Sequence, residues 1–280
     1  MLYHNVLNLI GNTPLLKMNK YQNNLFLKIE KNNITGSIKD RFAKELIESL
    51  VFEKKIKEND VIVCTTSGNL GISLAMIGIA YKLQVVIVMP KNVSSERKKL
   101  IKALKGKLVE VDNIDYQELE IIGRKLTNKL QGIYINQFSN EFNIKAGYKL
   151  GKEINKEIKG IDYIICGIGS GGTYQGLTNF FRNTKTKVYG VLPINDNHKI
   201  TGIGPGFIPN NIVDKDNLIY IDEETSYEIQ NAFIKEEGLL IGKSSGAVLN
   251  GCNWLIKEKN LKDENIVLIF ADSKERYLSE

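Results

Sequence analysis

The sequence is poor in several residues on which common chemistries depend. Three cysteines, Cys64, Cys166 and Cys252, are spread over 280 residues. They are too few and too scattered for a disulfide framework or a zinc ribbon, and they read as reduced, buried thiols of a cytoplasmic protein. The two histidines, His4 and His198, exclude a three-histidine metal site and an HExxH helix, and argue against a Ser-His-Asp triad, for which His198 is the one well-placed residue. No metal is expected. Five prolines against 24 glycines exclude a collagen-like or disordered chain. The N-terminus, Met1-Leu2-Tyr3-His4-Asn5, lacks the basic and long apolar regions of a secretory signal. The most apolar stretch, from Leu70 to Met89, is interrupted by Lys82 and Gln84. It changes there from helical to strand character, so it reads as a buried helix followed by a buried strand and not as a membrane span. Charge of one sign is scarcely in excess. Lys plus Arg is 38 and Asp plus Glu is 32, a net +6, too mild to indicate a nucleic-acid or membrane partner. The lysine-rich segment Ser95–Lys105 carries an apolar stripe of Leu100, Ile101 and Leu104. It is the solvated face of an amphipathic helix, with no interleaved aromatics for base stacking.

What is present is an ordinary globular balance, 42% hydrophobic and 25% charged. At roughly 150 residues per domain the length predicts two domains or one large one. Apolar runs without polar alternation recur at Leu25–Ile29, Val61–Cys64, Val85–Met89, Leu108–Val111, Tyr163–Cys166, Val188–Leu192 and Ile266–Phe270. Runs of β-branched residues of this kind fit strands covered on both faces. Helical patterns lie between them, among them Arg41–Lys54, Gly71–Lys82, Ser95–Leu104, Tyr116–Leu130 and Thr173–Arg182. The alternation predicts an α/β protein with mainly parallel sheets flanked by helices.

In such proteins ligands bind at the carboxyl ends of the strands. Two strand–loop–helix junctions are rich in glycine: Cys64-Thr65-Thr66-Ser67-Gly68-Asn69-Leu70-Gly71 and Gly167-Ile168-Gly169-Ser170-Gly171-Gly172-Thr173. The second contains GxGxxG. A dinucleotide site also needs an acid at the end of the next strand, and Val188-Tyr189-Gly190-Val191-Leu192 carries none. A P-loop is excluded because no Lys-Ser or Lys-Thr follows the glycines. An anion site remains, with bare N–H groups and the Ser170 and Thr173 hydroxyls at a helix N-terminus, suited to a phosphate monoester. A third element, Asn33-Ile34-Thr35-Gly36-Ser37-Ile38-Lys39-Asp40-Arg41, has Ser37 as a helix N-cap and Lys39 in the first turn. The positive end of the helix dipole lowers an amine pKa there, which suits a Schiff-base lysine.

Together these segments resemble the cysteine synthase (O-acetylserine sulfhydrylase) and cystathionine β-synthase family of fold-type-II pyridoxal-phosphate enzymes. The matching segments span nearly the whole chain: Ile10–Leu15, Thr35–Arg41, Thr66–Asn69, Gln137-Phe138, Gly169–Thr173, His198–Ile200 with Gly202–Gly204, Gly238–Ala247, and Asp272-Ser273 with Glu275–Ser279. The resemblance implies pyridoxal 5′-phosphate as cofactor and gives each segment a role. Lys39 would carry the cofactor and abstract the α-proton. Gly169, Ser170, Gly171, Gly172 and Thr173 would hold its phosphate, Asn69 its 3′-oxygen, and Ser244 its ring nitrogen. Thr66, Ser67, Gly68, Leu70 and Gln137 would receive the substrate carboxylate, with Gly204 and Gly206 also at the substrate. A neutral hydroxyl at the ring nitrogen weakens the electron sink. It favours loss of a β-substituent to an α-aminoacrylate over transamination.

The resemblance further implies a larger phosphate-binding domain of residues 1–37 and 143–280 and a smaller mobile domain of 38–142. The expected reaction is β-replacement, O-acetyl-L-serine plus sulfide giving L-cysteine. The alternatives are cysteine β-elimination or β-replacement releasing hydrogen sulfide, of lanthionine or cystathionine synthase type, and an inactive binding paralogue. The expected partners are a second copy of the chain and the C-terminus of a serine acetyltransferase. Three departures stand out. Leu70 occupies a position where cysteine synthases usually have threonine, the segment Ala146–Gly151 lacks a usual histidine, and Ala271 and Lys274 replace a proline and a glycine. In the loop Gly202–Pro209, Gly206 stands where cystathionine β-synthases resemble GIGYDFIP, with an acid before the phenylalanine. The loop is therefore of the cysteine-synthase kind, suited to a nucleophile that is already ionised.

Overall fold

The computed structural model describes residues 2–19, 22–112 and 115–279. In chain order the strands are β1 (Leu15–Met18), β2 (Asn24–Ile29), β3 (Val61–Thr65), β4 (Gln84–Pro90), β5 (Lys107–Val111), β6 (Ile133–Ile135), β7 (Tyr163–Gly167), β8 (Lys187–Pro193), β9 (Leu218–Ile221) and β10 (Asn265–Phe270). The helices are α1 (Lys39–Phe52), α2 (Asn69–Ala80), α3 (Ser95–Ala103), α4 (Tyr116–Lys129), α5 (Glu141–Glu157), α6 (Gly172–Phe181), α7 (Glu223–Glu237) and α8 (Lys243–Lys259). The α/β class with mainly parallel sheets is as the sequence pattern requires. Among the described residues no helix is long and apolar enough to cross a membrane. All three cysteines are buried and free.

The chain divides into two compact units, each with its own sheet. The first comprises Met1–Ile10, Lys39–Gln137 and Arg276–Glu280, the second Gly11–Ile38 and Phe138–Glu275. The sheet of the first unit has the order β5-β4-β3-β6 and is parallel throughout. Its central strands β3 and β4 are buried almost end to end, as expected of strands covered on both faces. Val63, Val86 and Val88 pack with Leu119 of α4. On the other face α2 comes close enough that a Cβ on Gly71 would lie 3.0 Å from Ile87, and one on Gly78 would collide with Val85.

The second unit carries the order β1-β2-β10-β7-β8-β9, parallel except for the β1/β2 edge pair. Its layers follow from the two-residue period of β10. Ile266, Leu268 and Phe270 join a core with Phe233 of α7 and Val248 and Leu255 of α8. Val267 and Ile269, pointing the other way, join Leu150 and Ile154 of α5 and Leu177 and Phe181 of α6. Helices α5 and α6 touch backbone to backbone. A Cβ on Gly176 would meet the Ile144 carbonyl and the backbone of Gly147 and Tyr148, and one on Gly147 would meet the Gly172 carbonyl at 2.5 Å. Such contact permits only glycine at these positions. Gly176→Ala is therefore expected to cost about 1–3 kcal/mol by overpacking, read as a fall in the urea midpoint with unchanged slope. A change below about 0.5 kcal/mol, ordinary for a surface site, would contradict the close approach.

Candidate functional site

In the first unit the candidate residues gather at the carboxyl ends of β3 and β6. These strands pair with Cys64 opposite Ile135. Thr66 and Gln137, each two residues further on, therefore leave the sheet at the same level, and both are buried. Between β3 and α2 the chain makes a tight turn. The Thr66 hydroxyl accepts the Gly68 N–H at 3.1 Å. Gly68 sits at φ 143, and a Cβ there would run into the stem of Arg97. Ser67 stays exposed, with its carbonyl taking a hydrogen bond from Arg97 Nη1 at 2.6 Å. Gly68 is also the N-cap of α2 and offers no side chain to the first-turn N–H groups.

Lys39 opens α1. The Ile38 N–H, just before the helix, is bound to the Ala271 carbonyl. Asp40 beside it is buried and accepts a hydrogen bond from Ser73 of α2. Burial pushes the Cys64 thiol up to about 12, against the pull of the Lys39 charge. Helix α2 begins at Asn69, two residues earlier than its hydrophobic pattern predicts. Leu70 is consequently a first-turn helical residue with 0% of its surface exposed. What it can offer a ligand is its backbone N–H.

In the second unit the loop after β7 leads into α6, whose N-cap is Gly171 at φ 80. No side chain caps α6. A Cβ on Gly171 would lie 2.7 Å from Ile212, one on Gly172 would collide with Asn143, and one on Gly169 with the Gly202 carbonyl. The turn is thus bare backbone held from behind. Asn143 Nδ2 donates to the Ser170 hydroxyl at 2.8 Å, and Asn211 Nδ2 donates to the Ser170 carbonyl at 2.7 Å. Asn211 in turn accepts the Asn140 N–H at 2.8 Å. Sequence reasoning missed both asparagines, because they act from 27 and 41 residues away.

Gly204 donates its N–H to the Ile168 carbonyl at 2.8 Å, which lays the Gly202–Gly206 segment against the loop between β7 and α6. His198 anchors the same segment. Its Nδ1 accepts the Ile200 N–H at 3.0 Å. Nε2 is then the protonated nitrogen, and it donates to the Gly204 carbonyl at 2.8 Å. His198 is a loop anchor and takes no part in a serine triad. Phe207 stacks edge-on against Phe138, centroids 5.0 Å apart. Gly206, at φ 80, has open space where a Cβ would be. Ser244 lies buried in the first turn of α8, again behind a glycine cap, Gly242. The Gly242 N–H is bound to the Asp272 carbonyl just past β10. Since β10 is the parallel neighbour of β7, α8 starts at the same end of that sheet as the loop between β7 and α6. The adjacent Ser245 hydroxyl is buried without a hydrogen-bond partner.

A parallel α/β fold with uncapped helix N-termini at the carboxyl ends of its strands defines a binder of a phosphorylated cofactor. A family model described as pyridoxal-phosphate dependent enzyme matches residues 6–272. The chain is 36% identical to a cysteine synthase of Aquifex aeolicus over 297 residues, 98% of this chain and 90% of the relative. Its fold superposes on O-ureido-L-serine synthase with a TM-score of 0.94 at 30% identity, covering 100% of this chain and 95% of that one. It also superposes on a hydrogen sulfide-producing enzyme from Fusobacterium nucleatum with a TM-score of 0.91 at 32% identity, covering 99% and 100%. The chain belongs to the pyridoxal-phosphate dependent enzymes of fold type II, within the cysteine synthase group. The residues present fit that cofactor: a glycine-rich turn at α6 with no side-chain cap for the phosphate, and serine hydroxyls at α8, one of them an orphan, for a polar ring atom.

Two outcomes follow from this geometry. Gly171 sits at φ 80 with Ile212 2.7 Å from where a Cβ would be, so Gly171→Asp must distort the turn and is expected to weaken pyridoxal-phosphate binding by roughly tenfold or more, as strain of this kind costs on the order of 1–3 kcal/mol. Full cofactor occupancy at limiting pyridoxal phosphate would contradict the location. Leu70→Thr buries a hydroxyl and removes apolar volume, and is expected to cost about 2–4 kcal/mol of stability. A melting temperature like the wild type's, together with tighter binding of amino-acid substrate, would instead mean that position 70 faces the substrate.

Proposed function

We propose that this enzyme makes L-cysteine from O-acetyl-L-serine and hydrosulfide, releasing acetate. The observation that carries the reading is Gly206. It has no side chain in the loop that packs on the phosphate turn, so that position supplies no acid or base to activate a neutral nucleophile. An already ionised one, such as hydrosulfide, needs none. The likeness to cysteine synthases supports the same reading.

Each side chain then has a task. Lys39 would bind the cofactor's aldehyde carbon and, once displaced by the substrate amine, take the proton from the substrate Cα and return it after replacement. Thr66, Ser67, Gly68 and Gln137 would hold the substrate carboxylate, with the first-turn N–H groups of α2, Leu70 included, adding their partial positive charge. Gly169–Thr173 would hold the phosphate, and Asn69 the 3′-oxygen. Ser244 would meet the ring nitrogen with a neutral hydroxyl. Pyridoxal phosphate, when bound, supplies the electron withdrawal that makes the Cα proton removable. At the β-carbon the C–O bond to acetate breaks and a C–S bond forms. Gly206, with open space where a Cβ would be, would leave room beside the substrate for the small nucleophile, and Gly204, packed against His198 and Pro193, would shape the same loop. The buried, free thiols suit a cytoplasmic setting. Leu2 and Phe52, 81% and 88% exposed, support a homodimer, and the carboxylate-binding turn would also accept the C-terminal carboxylate of a serine acetyltransferase.

A second reading, release of hydrogen sulfide from cysteine, draws on Leu70, where a hydroxyl is usual in cysteine synthases. The two readings separate in one assay. Purified holoenzyme given O-acetylserine and sulfide is expected to form cysteine, while cysteine alone releases little sulfide. Faster sulfide release from cysteine than cysteine formation would overturn the first reading. Lys39→Ala is expected to lower turnover by roughly 10²–10⁴ while retaining phosphate binding. Borohydride reduction of the wild type that tagged any other lysine would contradict its role.

A further inference from the structure

The Glu275–Ser279 motif has no part in the chemistry above, yet it returns the chain to the first unit and meets the substrate turn. Arg276 and Tyr277 are 6% and 4% exposed. Arg276 Nη1 donates to Asn69 Oδ1 at 2.9 Å. Asn69 Nδ2 donates to the Tyr277 hydroxyl at 3.2 Å. The Arg276 carbonyl accepts the Ser94 hydroxyl proton at 2.9 Å, and the Ser94 oxygen accepts Arg97 Nε–H at 2.8 Å. Arg97 lies over the Tyr277 ring at 5.0 Å and binds the Ser67 carbonyl. The circuit runs from Asn69 through Arg276, Ser94 and Arg97 back to Ser67, so the C-terminal segment holds Asn69 directly and braces Arg97, which holds Ser67.

The chemistry of this circuit is directional. An amide can turn either its oxygen or its nitrogen toward a neighbour, but guanidinium has donors only. Arg276 therefore holds the Asn69 oxygen, and Nδ2 is left as the donating end. Two buried arginines are an expensive way to brace a turn, since apolar packing stabilises at least as well. What they add over apolar packing is orientation.

We propose that Arg276 and Tyr277 are positioning residues that fix the Asn69 amide with its nitrogen as donor toward the cofactor's 3′-oxygen. The proposal rests on the role given to Asn69 above, and Asn69→Ala tests that role separately. The experiment measures pyridoxal-phosphate affinity and the visible absorption band of the holoenzyme. The variants are Asn69→Ala, Arg276→Met, Arg276→Lys, Tyr277→Phe and the double variant Asn69→Ala/Arg276→Met. Asn69→Ala and Arg276→Met are each expected to weaken binding roughly tenfold, as for loss of one well-placed hydrogen bond, and to alter the band alike. The double variant should be no weaker than Asn69→Ala alone, because Arg276 acts through Asn69. Arg276→Lys should recover most of the loss, and Tyr277→Phe should lose roughly threefold.

If Asn69→Ala binds like the wild type, the role of Asn69 is wrong and the proposal falls with it. If Asn69→Ala weakens binding but Arg276→Met does not, or the two losses add, the proposal alone is overturned. Should Arg276→Met fail to fold, Arg276→Lys and Tyr277→Phe decide: recovery with the small Tyr277→Phe loss supports the proposal, and an unchanged Tyr277→Phe overturns it.

Discussion

The site depends on helix N-termini left without side-chain caps. Helices α4, α5 and α7 are self-capped by Asp115, Asn140 and Asp222, each accepting a first-turn N–H. Helices α2, α6 and α8 start behind Gly68, Gly171 and Gly242, and none has a capping hydrogen bond. An uncapped first turn is a cost in a helix built only for stability, because up to four N–H groups lack partners. In these three helices the same N–H groups are where we place the anionic and polar atoms of the proposed ligands. Of the other helices, α4, α5 and α7 are capped by their own side chains, whereas α3, behind Ser94, is not.

Bare turns of this kind need support from elsewhere, and the structure supplies it with neutral polar side chains bound to the backbone and to the Ser170 hydroxyl. Asn143 and Asn211 hold the two ends of Ser170. His198 holds the Gly204 carbonyl, with its tautomer set by the Ile200 N–H. These bonds add no formal charge beside the phosphate turn, so they fix its shape without competing for the anion. In the first unit the bracing is cationic, through Arg97 and Arg276, next to the turn proposed to receive a carboxylate.

Much of this was legible in the sequence where the signal is local. The seven apolar runs read as strands are strands, and in β3, β4, β7, β8 and β10 the reason is burial: β-branched residues covered on both faces leave no other pattern. The short edge strands β1 and β9 and the three-residue β6 were not, since partly buried strands of three or four residues lack a readable period. The glycine turns stood out by composition. The start of α2 did not: Asn69 and Leu70 look like loop because the glycine before them carries no capping side chain. The bracing residues Asn143, Asn211 and His198 were invisible for a different reason. An asparagine or histidine that binds a distant carbonyl or hydroxyl leaves no mark on local periodicity. The C-terminal motif was seen but had no role until its bonds to Asn69 were.

The claim that the uncapped α6 turn is built for a phosphate anion is tested most directly by phosphorus NMR of the holoenzyme across pH 5 to 8. A phosphate monoester in water gains its second charge with a pKa of about 6, and its resonance moves accordingly. Held by backbone N–H groups at a helix N-terminus, it should stay dianionic, with a shift that does not move over that range. A bound resonance that titrates like the free cofactor's would contradict the account.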